Sequence, residues 1–451
     1  MNLKQLIIAL KSRFSKSDIA RRMASGAFWS FSGTATAKFI VLVSGILCAH
    51  ILTKDQYGQF GLVRSTITMF AVFGSGCLGR IASKHIAQYR GVCQERIPSV
   101  YLLTNGMALG LGVLFTTILF AIAPFIAVNM LHAPELLNAV RIGCVLMFFT
   151  ILNDAQTGTL SGFENFKAIA INTLAGSIAE SAFMLLGARF FGVVGAVLGF
   201  GTGYFVIYIS NFISIKRVFK QSGIFISKDD FKHMPWPLLY QFGLPSMFSA
   251  AIVPFAYWVL RTNMARNFGF GELAAYEAAD QWRMIIVFIP TAVSQIVLPI
   301  LSSTLEKGKT SFWHLARINL LFNGGIAFAF ALVVSCFSHI ILGFYGDSYI
   351  SGTSALILLA FSTVFSSLAN VAGIMLYCHS KAWYSLAFNA LWACMVIGLN
   401  QLFIGKGLGA TGAALAILLS YVLHTTFQLS FLHIALHNAK IRNIVKINHV
   451  A

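Results

Sequence analysis

Residues 26–84 read GAFWSFSGTATAKFIVLVSGILCAHILTKDQYGQFGLVRSTITMFAVFGSGCLGRIASK. Two apolar runs are joined by the five-residue polar turn KDQYG. A helix needs about 20 apolar residues to cross a bilayer core, and each run is that long, so the stretch predicts a membrane hairpin. Each arm carries one cation, Lys38 in the first and Arg64 in the second. Charge inside a span is costly and marks a function or a partner. The two cations are expected to receive an anionic, membrane-borne substrate.

The rest of the chain continues the apolar pattern. Of 451 residues, 57% are hydrophobic and 10% charged, where a soluble domain carries about a quarter charged residues. The sequence predicts an all-α polytopic membrane protein. Twelve spans are expected, at 24–52, 58–79, 99–123, 136–160, 168–188, 192–215, 241–261, 274–302, 317–342, 353–378, 384–404 and 408–433. The net charge of +18 fits a cytoplasmic membrane face and anionic lipids, not nucleic acid, because no nucleic-acid or phosphate-loop motif is present. The seven cysteines are scattered, without a Cys-x-x-Cys, and read as buried thiols. Residues 1–23 read as a basic amphipathic segment on the inner leaflet, not as a cleaved signal.

Lysine and arginine orient the spans. The side holding both termini and the even-numbered loops carries 23 of them. The other side carries six, Lys54, Arg141, Arg189, Arg261, Arg266 and Lys406. The positive-inside rule then places both termini in the cytoplasm. A basic linker at 216–240, with Pro235 and Pro237, separates an N-terminal six-helix lobe (24–215) from a C-terminal one (241–433), followed by a tail at 434–451. The lobes read as repeats at an offset of about 217 residues: Asn153 falls on Asn370, Asn172 on Asn389, and Gly192-Val-Val-Gly-Ala196 on Gly409-Ala-Thr-Gly-Ala413. Repeats of an even number of spans are related by an axis along the membrane normal, with the working site expected between them.

The intramembrane charges are the candidate site. Lys38 lies about 20 Å from either end of its helix. Ser30, Thr34, Gly45 and Ala49 share its face, while Val43 and Leu47 lie opposite. It faces a wet cavity or pairs with a carboxylate. Arg64 is about 9 Å deep and shares a face with Tyr57, Phe60 and Thr68; Tyr57 suits a sugar surface or an interfacial anchor. Span 8 opens with Glu277, Asp280, Gln281 and Arg283. Asp280 pairs with Arg283 three residues on, or, through the repeat, with Arg64 as a gate. Asp154 and Glu180 are candidate ion carriers or paired groups between helices. Arg261 is the outer-end arginine best placed to face a central cavity. Prolines 245, 254, 290 and 299 bend spans 7 and 8. No Gly-x-Ser-x-Gly, no His-Glu-x-x-His and no metal-ligand histidine spacing is present, so no enzyme, metal or resident cofactor is expected.

The stretch Leu52-Thr53-Lys54-Asp55-Gln56-Tyr57-Gly58-Gln59-Phe60-Gly61-Leu62, the basic N-terminus and the duplicated span count resemble the polysaccharide transporter branch of the multidrug/oligosaccharidyl-lipid/polysaccharide (MOP) exporter superfamily. Its members include the O-antigen repeat-unit flippases of the inner membrane. The resemblance implies a V-shaped bundle of two six-helix pseudo-repeats, as in the MATE exporters. It implies transport of an undecaprenyl-pyrophosphate-linked oligosaccharide from the cytoplasmic to the periplasmic leaflet. It also implies a cationic cavity built from Lys38, Arg64 and Arg283. An H+ or Na+ gradient is the expected energy source, with the intramembrane carboxylates Asp154, Glu180 or Asp280 as carriers. Glycan polymerase and chain-length regulator proteins are the expected partners. The alternatives are a cation or drug exporter of the same superfamily, a peptidoglycan-precursor flippase, a polymerase or ligase enzyme, and a non-transporting scaffold.

Overall fold

The computed structural model describes residues 18–75, 78–232, 234–236, 244–307, 309–378 and 382–448. Of the basic segment expected at 1–23, only 18–23 fall among them, as the start of the first helix. The helices are α1 (Asp18–Ile51), α2 (Lys54–Ser75), α3 (Leu78–Tyr89), α4 (Ile97–Phe125), α5 (Leu137–Gly162), α6 (Phe166–Gln221), α7 (Leu244–Phe268), α8 (Phe270–Lys307), α9 (Lys309–Cys336), α10 (Ser338–Gly343), α11 (Thr353–Cys378), α12 (Ala382–Ile404) and α13 (Gly409–Asn448). No strand occurs among the described residues.

Each of the twelve expected spans finds a helix. Among the described residues, eight helices are long and apolar enough to cross a membrane. The pair α2 and α3, bent by 44° at a short break, makes a ninth. Helix α6 counts as two, because Gly192 interrupts it at φ 57° and ψ −137°. The remaining two coincide with α7 and α8. They are the helices that carry Arg261, Arg266, Glu277, Asp280 and Arg283.

The duplication shows in the backbone. Gly192 and Gly409, 217 residues apart, have φ of 57° and 49°, a conformation in which a Cβ is strained and glycine is not. Both lie where one span turns directly into the next. The boundaries of α5 and α11 keep nearly the same offset. The paired asparagines have diverged, however: Asn153 and Asn172 are buried and Asn370 is exposed.

Local chemistry sets the turns. Thr53 caps α2. The Gln56 backbone N–H donates to Thr53 Oγ1 (3.3 Å), and the Thr53 N–H donates to Gln56 Oε1 (3.1 Å), a reciprocal capping box. At the other extreme, α6 runs past the expected linker start at 216 to Gln221. Gly223, at φ 66°, then reverses the chain. Its N–H donates to the Lys220 carbonyl and the Ile224 N–H to the Phe219 carbonyl, the Schellman termination.

The chain divides into two compact units. One holds residues up to Ser44, Phe70–Pro124 and Leu137–Phe248. The other holds Gly45–Met69, Phe125–Leu136 and the chain from Ser249 onward. This differs from a division at 216–240, because residues 45–69 of the first hairpin join the C-terminal helices. In the first unit α5 packs on α3 and α6. In the second α11 packs on α8, α9 and α13, and α12 on α13.

Candidate functional site

In the second unit, α2, α7 and α8 assemble a chain of five charged side chains. Arg64 Nη2 donates to Glu277 Oε2 at 3.0 Å. Arg261 Nε donates to Glu277 Oε1 at 2.5 Å, and Arg261 Nη2 to Asp280 Oδ2 at 2.7 Å. Arg283 Nε donates to Asp280 Oδ1. The order Arg64–Glu277–Arg261–Asp280–Arg283 alternates in sign, and three arginines against two carboxylates leave one net positive charge. The other four members are buried, whereas the Arg64 side chain keeps 24% of its surface exposed. Its guanidinium also lies 5.6 Å from the Phe60 ring centre. At the other end Arg283 lies over the Tyr257 ring at 4.7 Å, a cation–π contact.

Small residues of the hairpin make this possible. A Cβ on Gly61 would sit 2.6 Å from Glu277 Cγ, and one on Gly58 would strike the Phe270 carbonyl oxygen. Backbones approach closely where side chains are small, so the Tyr-Gly-x-Phe-Gly pattern is the docking face for the start of α8. Tyr57 completes it. Gln281 Nε2 donates to the Tyr57 oxygen (2.7 Å), and the Tyr345 hydroxyl donates to Gln281 Oε1 (2.9 Å). Lys54 Nζ, at the tip, donates to the Ser348 carbonyl at 2.6 Å.

Several expectations change. Arg64 pairs with Glu277, not with Asp280; the Asp280 partners are Arg261 and the expected Arg283. Tyr57 is 2% exposed and is neither an interfacial anchor nor a free sugar platform here. Arg261 and Arg283 are brought together, but with carboxylates between them, so the cluster is not purely cationic. Glu277, the hub, has no role assigned to it by the sequence reading. Its signal is the face formed by Glu277, Asp280, Gln281 and Met284, together with a glycine opposite, three residues before Arg64.

The other candidates lie in the first unit. Lys38 is half-buried on α1, whose Gly26 and Gly33 pack on Phe166 and Ala170 of α6. As the helical wheel predicts, Val43 and Leu47 are exposed and Gly45 and Ala49 buried; Phe39, next to Lys38, is exposed as well. Asp154 holds a helix start: its Oδ2 accepts the Gly79 N–H at 2.8 Å, satisfying a donor that the first turn of α3 leaves open. Asp154, Gly158 and Gly162 share one face of α5, and α3 lies against it at Gly79 and Ile86. Glu180 is half-buried against Gly203. Around them Asn172 donates to Asn211 (2.9 Å) and Ser214 (3.1 Å), and Asn153 to the Tyr204 carbonyl (2.8 Å). No cluster of metal-ligating side chains occurs among the described residues.

Comparison with known proteins places this architecture. Residues 23–305 match the polysaccharide biosynthesis protein family. The chain belongs to that family. It is 21% identical over 417 residues to the EPS I polysaccharide export inner membrane protein EpsE of Ralstonia solanacearum, covering 90% of this chain and 92% of the relative. The EpsE of Ralstonia nicotianae is 20% identical over 419 residues, with the same coverage. Among solved structures, a MATE family multidrug resistance transporter of the MOP superfamily, in an inward-facing conformation, superposes with a TM-score of 0.75 at 17% identity, covering 90% of this chain and 95% of that one. A MOP superfamily transporter from Pyrococcus furiosus, noted for a binding pocket of reversed polarity, gives 0.70 at 17%, covering 93% and 96%. The fold of this family member is therefore that of the MOP transporters, all-helical and membrane-spanning.

Proposed function

We propose that this protein is a flippase of the inner membrane. It moves an undecaprenyl-pyrophosphate-linked oligosaccharide, the repeat unit of an O-antigen or similar surface polysaccharide, from the cytoplasmic to the periplasmic leaflet by alternating access. The observation that carries this reading is the family match, joined to export-protein relatives aligned over nine-tenths of the chain. The protein acts as a transporter and not as an enzyme. Both termini lie in the cytoplasm in this reading, which the 23-to-six distribution of basic residues supports.

The chemistry of the site supports an anionic cargo. A pyrophosphate carries at least two negative charges, and arginine matches phosphate oxygens with paired N–H donors. The charged chain in the second unit has one positive charge in excess, and its accessible end is Arg64. Lys38 supplies a further cation, half-buried in α1. We assign the pyrophosphate to Arg64 and keep Lys38 as a separate candidate for it, one in each compact unit. A net cationic cluster also disfavours a carrier of organic cations. Arg261 and Arg283 act through their carboxylate partners, Asp280 is the candidate for ion coupling, and Glu180 is a second one. Asp154 is assigned to the α3 cap.

The test is a deletion strain complemented with the wild type or with Lys38→Gln/Arg64→Gln. Deletion should abolish surface polysaccharide and accumulate the lipid-linked oligosaccharide on the cytoplasmic leaflet. The double variant should restore neither. Unchanged surface polysaccharide on deletion would overturn the function; full complementation by the double variant would overturn the pyrophosphate assignment alone.

A further inference from the structure

The inner-end loops of the first unit present an unexplained surface. The Schellman turn at Gly223 drives Ile224 into a cluster with Ala82, Ile86, Ile97, Val100 and Phe219. With Ile224 pinned, the next two side chains stay outside: Phe225 is 83% exposed and Ile226 46%. The short turn Lys228–Phe231 is then built firmly. Asp229 N–H donates to Ser227 Oγ (3.4 Å), and the Ser227 N–H donates to Asp230 Oδ2 (2.7 Å). The other oxygen of Asp230 accepts from Ser99 at the start of α4 (3.5 Å). This fixed turn leaves Phe231 55% exposed. The neighbouring loop after Tyr89, which packs against the same cluster, holds Val92 out at 85%.

We propose that this surface is a docking site for the bilayer interface and that its partner is anionic lipid headgroups. Four observations agree. The apolar side chains are displayed by a well-capped, hydrogen-bonded turn, so their exposure is built rather than accidental. They begin four residues after the end of α6, a helix long and apolar enough to cross a membrane. The same segment, 216–232, carries five basic residues against two acidic ones. Lys216 and Arg96 also hold their charges over aromatic rings, at 4.5 Å from Phe212 and 5.9 Å from Tyr89, which orders cations beside apolar area. One basic residue is set aside: Lys232 pairs with Asp229 at 3.0 Å, both well exposed. Apolar side chains inserted at headgroup level beside lysines and arginines are the signature of an interfacial segment. The segment between the repeats is then an anchor that rides on the first unit and holds its inner end to the leaflet surface.

The experiment is hydrogen exchange of the full-length protein in nanodiscs of phosphatidylcholine, alone or with one third replaced by phosphatidylglycerol. Both leaflets have the same composition, so the result does not depend on the orientation of the termini or on the transport reading. Amides of 222–232 should exchange more slowly in the anionic discs, by about fivefold for each basic side chain engaged. Phe225→Ser/Ile226→Ser/Phe231→Ser should exchange fast in both lipids. Lys216→Gln/Arg217→Gln/Lys220→Gln, which leaves the apolar display intact, should lose the lipid dependence. Equal wild-type exchange in the two lipids assigns the surface to water or to a protein and overturns the proposal. A slowing that survives the serine variant, or the glutamine variant, overturns it too.

Discussion

Replacing Glu277 by alanine tests the charged chain most directly. Its carboxylate is 2% exposed and holds both Arg64 (3.0 Å) and Arg261 (2.5 Å). Without it Arg261 and Arg283 share the single carboxylate of Asp280, and the net charge of the cluster rises from one to two. Removing one partner of a buried pair costs about 3–5 kcal/mol. Arg64 is 24% exposed, so part of its charge stays hydrated and Arg64→Ala should cost about 1 kcal/mol or less. The pattern is therefore asymmetric: Glu277→Ala strongly destabilising, Arg64→Ala mildly so. The double variant Glu277→Leu/Arg261→Met removes the hub with its buried partner and leaves the Asp280–Arg283 pair intact. It should regain most of the loss, because apolar replacement of a buried pair is often neutral or better. Thermal unfolding in detergent, followed by size-exclusion chromatography of the heated protein, measures all four proteins. The reasoning fails if Glu277→Ala melts within about 1 kcal/mol of the wild type. It also fails if the double variant is no more stable than the single one.

Glycine substitutions in the hairpin should separate two kinds of contact. Gly58→Ala meets the backbone carbonyl of Phe270, which has no rotamer to escape to, and Gly61→Ala meets the Glu277 side chain. Both should lower the melting temperature, Gly58→Ala by more, within the range of about 1–3 kcal/mol for overpacking. Asp154→Ala should lose about 1 kcal/mol for the missing cap, whereas Asp154→Asn, which keeps an acceptor for the Gly79 N–H, should export polysaccharide normally; a transport-dead Asp154→Asn would make that carboxylate an ion carrier after all. Tyr57→Phe removes the acceptor of the Gln281 amide and should cost about 1 kcal/mol in the same melting assay.

The amino-acid sequence by itself determined the class of this protein and its periodicity. Twelve spans follow from apolar length, because a bilayer demands that length wherever a helix crosses it. The 217-residue offset was legible in the pair Gly192 and Gly409, because a left-handed turn needs glycine in each copy. The Thr53-Lys54-Asp55-Gln56 capping box was equally local. The pairing of charges was not local. One helical turn is about 5.4 Å, the difference between Asp280 and Glu277 as the partner of Arg64. Sequence spacing cannot choose between them, because both acids share a face of α8. What chose was the depth to which α8 sinks into the hairpin, and that depth is set by the bare backbone at Gly58 and Gly61. The same contact decided that residues 45–69 of the hairpin travel with the C-terminal helices. The first hairpin therefore carries its charges in the sequence, but Lys38 and Arg64 fall in different compact units, and only the packing of the helices reveals it.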